Sequence, residues 1–407
     1  MKFTVERDAL ADAVSWAARA LPGRPVLPVL TGLLLSAGQQ GAGEGCLTLS
    51  CFDYEVSARV RVPAEVAEPG TVLVPGRLLV EIVRALPPYP VEFADDPDGV
   101  SVTCGDAAFL LTPLPLADYP ELPELPQLAG TADGGVLAAA IAQVTPAASR
   151  DDTLPMLTAV SVELDGAAMT LAATDRYRLA VRELPWRPAP GPVPAGPVPA
   201  SAAPGSQGRV ALLVPARTLS DAARMMSGGT EVRVVLRTDQ GQAEAMIGFE
   251  SGPRQLTTRL LAGEFVKYKS RFPAEFGCTA DLPAEAFAEA VRRVALVAER
   301  GTPVQLTFAP GRVTVGAATQ GQARAKETVA ADFTGSEPSI AFSPQYLLDG
   351  VIAATAGTAP DGHGAADARV RLRFSGPAKP AVITPAPTPD TDARASFRYL
   401  VVPQRLR

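Results

Sequence analysis

The chain has 407 residues, of which 47% are hydrophobic and 20% charged, and a formal net charge of −6. Such a chain buries substantial cores and suits three domains of common size. The balance excludes an intrinsically disordered chain, and it excludes a protein that grips nucleic acid by bulk positive charge, although a basic face on an acidic body stays open. No apolar run approaches the length needed to cross a bilayer, and the start MKFTVERDAL is charged where a secretory signal is apolar. No membrane association is expected, and the expected location is the cytoplasm.

In chain order, an opening helix is predicted at RDALADAVSWAARAL, then alternating strands, then a second helix at or just after Pro75 in LVPGRLLVEIVRAL, then more strands. The same order returns with GGVLAAAIAQV and LVPARTLSDAARMM, the latter with Pro215, and again with PAEAFAEAVRRVALVAER and FSPQYLLDGVIAA, with Pro344. Proline suits a helix start because its missing N–H has no partner there in any case. In the third opening helix Phe287, Val291, Val294 and Ala298 form an apolar stripe.

The segments also resemble one another residue by residue. VLPVLTGLLLSA resembles TLPMLTAVSVEL, and LTLSCFDYEVSARV resembles MTLAATDRYRLAVR with Asp53 over Asp175. Three repeated units are therefore expected, at 1–127, 128–275 and 276–407, each an α+β domain with two helices packed on antiparallel sheets. Two segments stand outside the repeat, the Pro-rich insertion 187–209 and TPAPTPDTDAR at 384–394. Their composition predicts solvated loops.

Catalytic chemistry finds little material. Cys46, Cys51, Cys104 and Cys278 are dispersed and read as free core thiols, and the single histidine, His363, sits in the loop sequence DGHG. No phosphate loop, dinucleotide fingerprint or zinc-protease motif occurs. Asp95, Asp96 and Asp98 read as a polar hairpin turn rather than a cation loop, and Asp151 and Asp152 as adjacent loop residues rather than a catalytic pair. No catalytic residue, metal site or cofactor is expected.

The stretch ATDRYRLAV reads as a strand with Tyr177, Leu179 and Val181 on one side and Arg176, Arg178 and Arg182 on a wet, basic other side. From the residues alone it suits an active-site strand, a nucleic-acid-binding strand or the rim of a pocket for another protein.

Together, MKFTVERDAL, PGRPVLPVL, FDYEVSARV, AATDRYRLAV, LLAGEFVKY and the ending YLVVPQRLR resemble the bacterial DNA polymerase III beta subunit family, the sliding clamps, across the chain apart from the Pro-rich segments. The resemblance implies a head-to-tail homodimer closed as a ring around duplex DNA. Such a protein is a non-catalytic processivity factor that tethers the polymerase III alpha subunit, its clamp loader and repair proteins through short apolar peptides. A ring is retained by topology, so weak, sequence-independent contacts suffice and the net charge presents no obstacle.

Implied DNA-facing residues are Arg24 and Arg150 in loops, Arg77 and Arg84 with their counterparts Arg217 and Arg224 seven apart on helices, and Arg293, spaced likewise from Arg300. Implied peptide-pocket residues are Leu157, Thr174, Tyr177, Arg178, Leu179, Val266, Arg271, Tyr346, Leu400, Val401, Val402, Pro403, Gln404, Arg405 and Leu406. Phe109 and Leu296 are implied at the dimer interface.

Three positions depart from the family pattern. Gln404 replaces an apolar residue, often Met, Val266 a common Pro, and Arg271 a small apolar side chain. Each lost apolar contact costs a bound peptide about 1 kcal/mol. A divergent second copy with altered partner or inhibitor preference is therefore an alternative, as is a repeat scaffold that binds proteins and not DNA. An enzyme using the acidic loops or Cys51 and Cys104 is the remaining competitor, without a reaction to assign.

Overall fold

The computed structural model describes residues 1–40, 44–190, 210–226, 229–238, 245–299, 301–319, 322–336, 339–356, 368–387 and 397–405. His363, Arg300, Leu406 and most of both Pro-rich segments lie outside the described residues. Six α-helices are described: α1 (Arg7–Ala17), α2 (Gly76–Ala85), α3 (Gly134–Val144), α4 (Ala216–Ala223), α5 (Ala284–Ala295) and α6 (Pro344–Thr355). Pro75 and Pro283 are the N-cap residues of α2 and α5, Pro215 directly precedes α4, and Pro344 occupies the first turn of α6. Helix α5 is shorter than its periodicity predicts. It buries Phe287, Val291 and Val294 but ends at Ala295, so Ala298 is not part of it.

The chain divides into two compact units. The first comprises Met1–Gly134 and Arg224–Leu260 with a short piece beginning at Pro188. Its five-stranded sheet runs Glu65–Glu68, Lys2–Val5, Val91–Asp96, Gly99–Cys104, Ala107–Leu111. Its nine-stranded sheet runs, after the edge strand Arg187–Pro188, through Gln127–Asp133, Glu231–Arg237, Met246–Ser251, Arg254–Arg259, Val56–Pro63, Glu44–Phe52, Gly32–Gln40 and Gly70–Pro75. Helices α1 and α2 pack on each other, and α1 covers the strands Glu44–Phe52 and Val56–Pro63.

The second unit comprises Gly135–Arg187, a segment ending at Ala223, and Leu261–Arg407. Its nine-stranded sheet runs Val210–Pro215, Ala159–Asp165, Ala168–Thr174, Arg178–Pro185, Phe397–Val401, Ala381–Pro385, Arg369–Phe374, Cys278–Pro283, Asp332–Thr334. A four-stranded sheet runs Ala323–Ala330, Arg312–Thr319, Val304–Ala309, Ser339–Phe342. Helix α5 packs on α6, and α6 covers the strands Arg369–Phe374, Ala381–Pro385 and Phe397–Val401.

One topology recurs three times. Four strands that follow an opening helix order themselves third, second, first, fourth: in the first repeat Val56–Pro63, Glu44–Phe52, Gly32–Gln40 and Gly70–Pro75. The second repeat has Arg178–Pro185, Ala168–Thr174, Ala159–Asp165 and Val210–Pro215, and the third forms the four-stranded sheet. At both internal junctions the last strand of one repeat pairs antiparallel with the previous repeat: Arg254–Arg259 with Val56–Pro63, and Phe397–Val401 with Arg178–Pro185. Among the described residues, the final strand of the first repeat, Ala107–Leu111, and the matching edge of the third, Ala323–Ala330, each have one neighbour and an open side.

Candidate functional site

The stretch read as a single strand is a hairpin. The strands Ala168–Thr174 and Arg178–Pro185 flank a turn in which Arg176 has φ 81°, a left-handed conformation that breaks the alternation. Asp175 builds the turn: its Oδ1 accepts from the backbone N–H of Tyr177 (3.0 Å) and of Arg178 (3.1 Å), and Thr174 Oγ1 donates to the Arg178 carbonyl (2.6 Å). The first repeat carries the same device. Asp53 Oδ1 accepts from Glu55 (3.0 Å) and Val56 (2.7 Å), with Tyr54 at φ 76°.

Past the turn, true alternation separates two faces. Leu179 and Val181 join Ala172, Leu400 and Tyr268 in one apolar cluster, with Phe265, Phe272 and Val402 packed against it. Leu179 and Leu400 are direct cross-strand partners, so the buried cluster rests on a strand pair. Phe265, Tyr268 and Phe272 come from a strap over residues 261–277, and the sequence reading missed all three. Their signal was the aromatic spacing inside EFVKYKSRF.

The three arginines of the basic side differ: Arg176 in the turn is exposed, Arg182 is half-buried and Arg178 is buried. Arg178 is 9% exposed: its Nε donates to Asp175 Oδ2 (2.9 Å), its Nη1 to Asp349 Oδ2 on α6, and its guanidinium lies 4.4 Å from the Tyr346 ring centroid. Burial works against its charge, but the Tyr399 hydroxyl, Asp349 and Asp175 outweigh it and hold the pKa above the ordinary arginine value. Arg178 therefore braces the wall instead of offering a free donor to a ligand. Tyr399 supports the same corner. Its ring lies where a Cβ on Gly350 of α6 would stand 2.5 Å from Cδ1, and its hydroxyl donates to the Tyr346 carbonyl (2.9 Å). Burial raises the Tyr399 pKa, opposed by Arg178.

At the rim, Tyr177 is 56% exposed and stacks on Tyr346 with centroids 6.3 Å apart. The C-terminal tail continues the edge, with the Val402 N–H donating to the Tyr177 carbonyl (2.8 Å) and the Gln404 N–H to that of Ala341 (2.7 Å). Val401 is buried on the Arg178 face, Pro403 is half-buried, and Val266, Arg271, Gln404 and Arg405 are exposed. Gln404 and Arg405 line a separate broad groove of about 1370 Å³ with Gln305, Arg324 and Lys326. Leu157 is buried at the end of the turn Pro155–Leu157, outside the cluster around Leu179.

Of the arginines read as DNA-facing, Arg24, Arg77, Arg84, Arg150 and Arg217 are exposed. Arg77 and Arg84 project from α2 away from buried Leu79, Ile82 and Val83, and Arg77 donates to the Pro22 carbonyl (3.2 Å). Two departures matter. Helix α4 ends at Ala223, so Arg224, exposed like Arg217, lies one residue beyond it rather than within it. Arg293 on α5 is already matched by Glu327 (Nη2–Oε1 2.7 Å) and Glu289 (2.7 Å).

The other candidates settle as turns and core. Asp151 Oδ1 accepts from the Thr153 N–H (3.0 Å), the first cause of its lowered pKa. Asp96 Oδ1 accepts from the Asp98 N–H in a hairpin turn. The four cysteines are free, with Cys46 half-buried and the others buried. Among the described residues no cluster of His, Cys, Asp and Glu suits a metal, and no helix is long and apolar enough to cross a membrane.

Comparison with known proteins agrees over the whole length. Family models for the DNA polymerase III beta subunit match as N-terminal domain at residues 1–123, central domain at 132–195 and C-terminal domain at 269–397. The chain is 47% identical to the beta sliding clamp of Streptomyces coelicolor, covering 100% of both. It is 41% identical to the beta sliding clamp homolog GriR of Streptomyces muensis, covering 100% of this chain and 99% of that one. A crystal structure of the sliding clamp of Pseudomonas aeruginosa bound to griselimycin superposes with TM-score 0.82 at 27% identity over 100% of both chains. The repeated sheets and these likenesses establish that the chain belongs to the DNA polymerase III beta subunit family, the sliding clamps.

Proposed function

We propose that this protein encircles duplex DNA in the cytoplasm as a homodimeric clamp without catalytic activity and tethers replicative polymerase and repair proteins to it. The observation that carries the reading is the pairing rule at the repeat junctions. Each internal junction joins the last strand of one repeat to the hairpin strand of its predecessor, which leaves Ala107–Leu111 and Ala323–Ala330 open. A second copy satisfies both edges by the same pairing and closes the ring. Phe109 is 38% exposed on the first edge strand and Leu296 84% exposed just past α5, which supports their role at that interface.

Arg24, Arg77, Arg84, Arg150, Arg217 and Arg224 supply the positive lining, while Arg293 contributes less because two glutamates already offset it. Partners dock by an apolar side chain seated between Leu179, Leu400 and the strap, against the stacked tyrosines. We infer that the three repeats are clamp domains with limits 1–127, 128–275 and 276–407. The test is loading by the cognate clamp loader: retention on circular but not linear DNA is expected, and equal retention on both refutes encirclement.

A second reading concerns the rim. Val266, Arg271 and Gln404 stand exposed where the family resemblance implies Pro and small or apolar residues, which supports a divergent copy with altered ligand preference. Griselimycin is expected to bind this chain more weakly than the Streptomyces coelicolor relative, and equal affinity removes this reading.

A further inference from the structure

Four arginines share the sheet face that carries Leu179 and Leu400 in the second unit. Arg398 lies two residues before Leu400 and opposite Val181; Arg373 pairs with Val382, which pairs with Leu400; Arg371 and Arg369 follow along the strand of Arg373. Helix α6 packs on the other face, where Tyr399 meets Gly350.

Two of the four are neutralised. Arg371 donates to Asp281 through Nε (2.7 Å) and Nη2 (2.6 Å), and Arg369 donates to Asp332. Arg373 and Arg398 meet no carboxylate among the described residues. Each guanidinium instead lies 4.6 Å from a ring centroid of the strap, Arg398 over Phe272 and Arg373 over Phe276. Stacking fixes the plane of a guanidinium but leaves its N–H edge unused. Arg373 Nε is buried without an acceptor, and burial, then the charges of Arg371 and Arg398, lower the Arg373 pKa. Two pre-oriented, unmatched guanidiniums on one sheet face, set diagonally across the intervening strand Ala381–Pro385, attract carboxylates to that face.

We propose that Arg373 and Arg398 form an acidic-residue subsite continuous with the apolar pocket, which selects partner segments carrying Asp or Glu beside their apolar anchor. The proposal rests on the peptide-pocket reading. Two residues of strand separate Arg398 from Leu400, about 7 Å, so one or two residues of an extended peptide span the distance. Continuity with the pocket floor, on the face away from α6, favours a peptide over a nucleic-acid backbone.

The test is fluorescence anisotropy with two synthetic peptides that share an apolar core of two leucines and a phenylalanine, one flanked at both ends by Asp-Glu and the other by Ser-Asn. The acidic peptide is expected to bind about tenfold tighter at low salt, with the preference shrinking as salt rises. The double variant Arg373→Gln/Arg398→Gln removes the preference and leaves the neutral peptide's affinity unchanged, whereas Arg373→Lys/Arg398→Lys retains part of it. Equal binding of both peptides to the parent protein overturns the subsite and leaves the pocket standing. So does a Gln variant that weakens both peptides alike, or one that loses duplex DNA binding while the peptide preference persists. If neither peptide binds the parent protein, the pocket reading falls and the subsite with it.

Discussion

Arg178 and Asp349, 171 positions apart in the chain, form an ion pair whose side chains are 10% and 18% exposed. The pair fastens the hairpin turn to α6 and so holds Tyr177 against Tyr346. Arg178→Met leaves two carboxylates without their cation and is expected to lower stability by about 3 kcal/mol, read as a fall in the urea midpoint. Affinity for an apolar peptide falls with it. An unchanged midpoint would show that the corner holds without the pair.

Gly350→Ala tests the close approach of α6 to the sheet. Alanine gains about 1 kcal/mol of helix propensity, but its Cβ stands 2.5 Å from the Tyr399 ring, and overpacking costs about 1–3 kcal/mol. A net destabilisation is expected, together with a changed near-ultraviolet circular dichroism signal from the displaced tyrosine. A higher melting temperature would contradict the packing described.

Cys51 predicts an alkaline limit. Its thiol is 1% exposed and donates to the Ala17 carbonyl (3.3 Å), and burial pushes its pKa from 9.0 up to about 12. The folded state therefore keeps a proton that the unfolded state releases. The stabilisation is complete below about pH 9 and declines as pH rises toward 12, by up to about 1.4 kcal/mol per pH unit. Cys51→Ala should flatten that decline in denaturant titrations across this window; an unchanged slope assigns it to other groups.

Phe109→Asp places a charge on the open strand Ala107–Leu111. Light scattering is expected to show a shift from dimer to monomer while far-ultraviolet circular dichroism keeps its folded signal, since Phe109 lies outside the core. A variant that remains dimeric locates the interface elsewhere.

The sequence disclosed what short range determines. Proline marked the helix starts, and the register of Asp53 over Asp175 anticipated two turns with the same hydrogen bonds. It concealed what depends on distant partners. Arg178 follows a strand-like alternation that suggests a solvated face, and only its encounter with Asp349 and Tyr399 shows it buried. Leu400 and Leu179 carried the family likeness, yet Phe265, Tyr268 and Phe272 complete their cluster from a strap without regular secondary periodicity. Arg293 was legible as an exposed helical cation, but Glu327 sits on a neighbouring strand whose pairing no local pattern reveals.

The interleaved strands give the middle repeat an unusual standing. Gln127–Asp133, Glu231–Arg237, Met246–Ser251 and Arg254–Arg259 belong to one nine-stranded sheet, while Ala159–Asp165, Ala168–Thr174, Arg178–Pro185 and Val210–Pro215 belong to the other. Cut out as a fragment, it would leave both flanking repeats with bare backbone amides and carbonyls. Recombination that swaps whole repeats between relatives must therefore match hydrogen-bonding seams, not merely linkers.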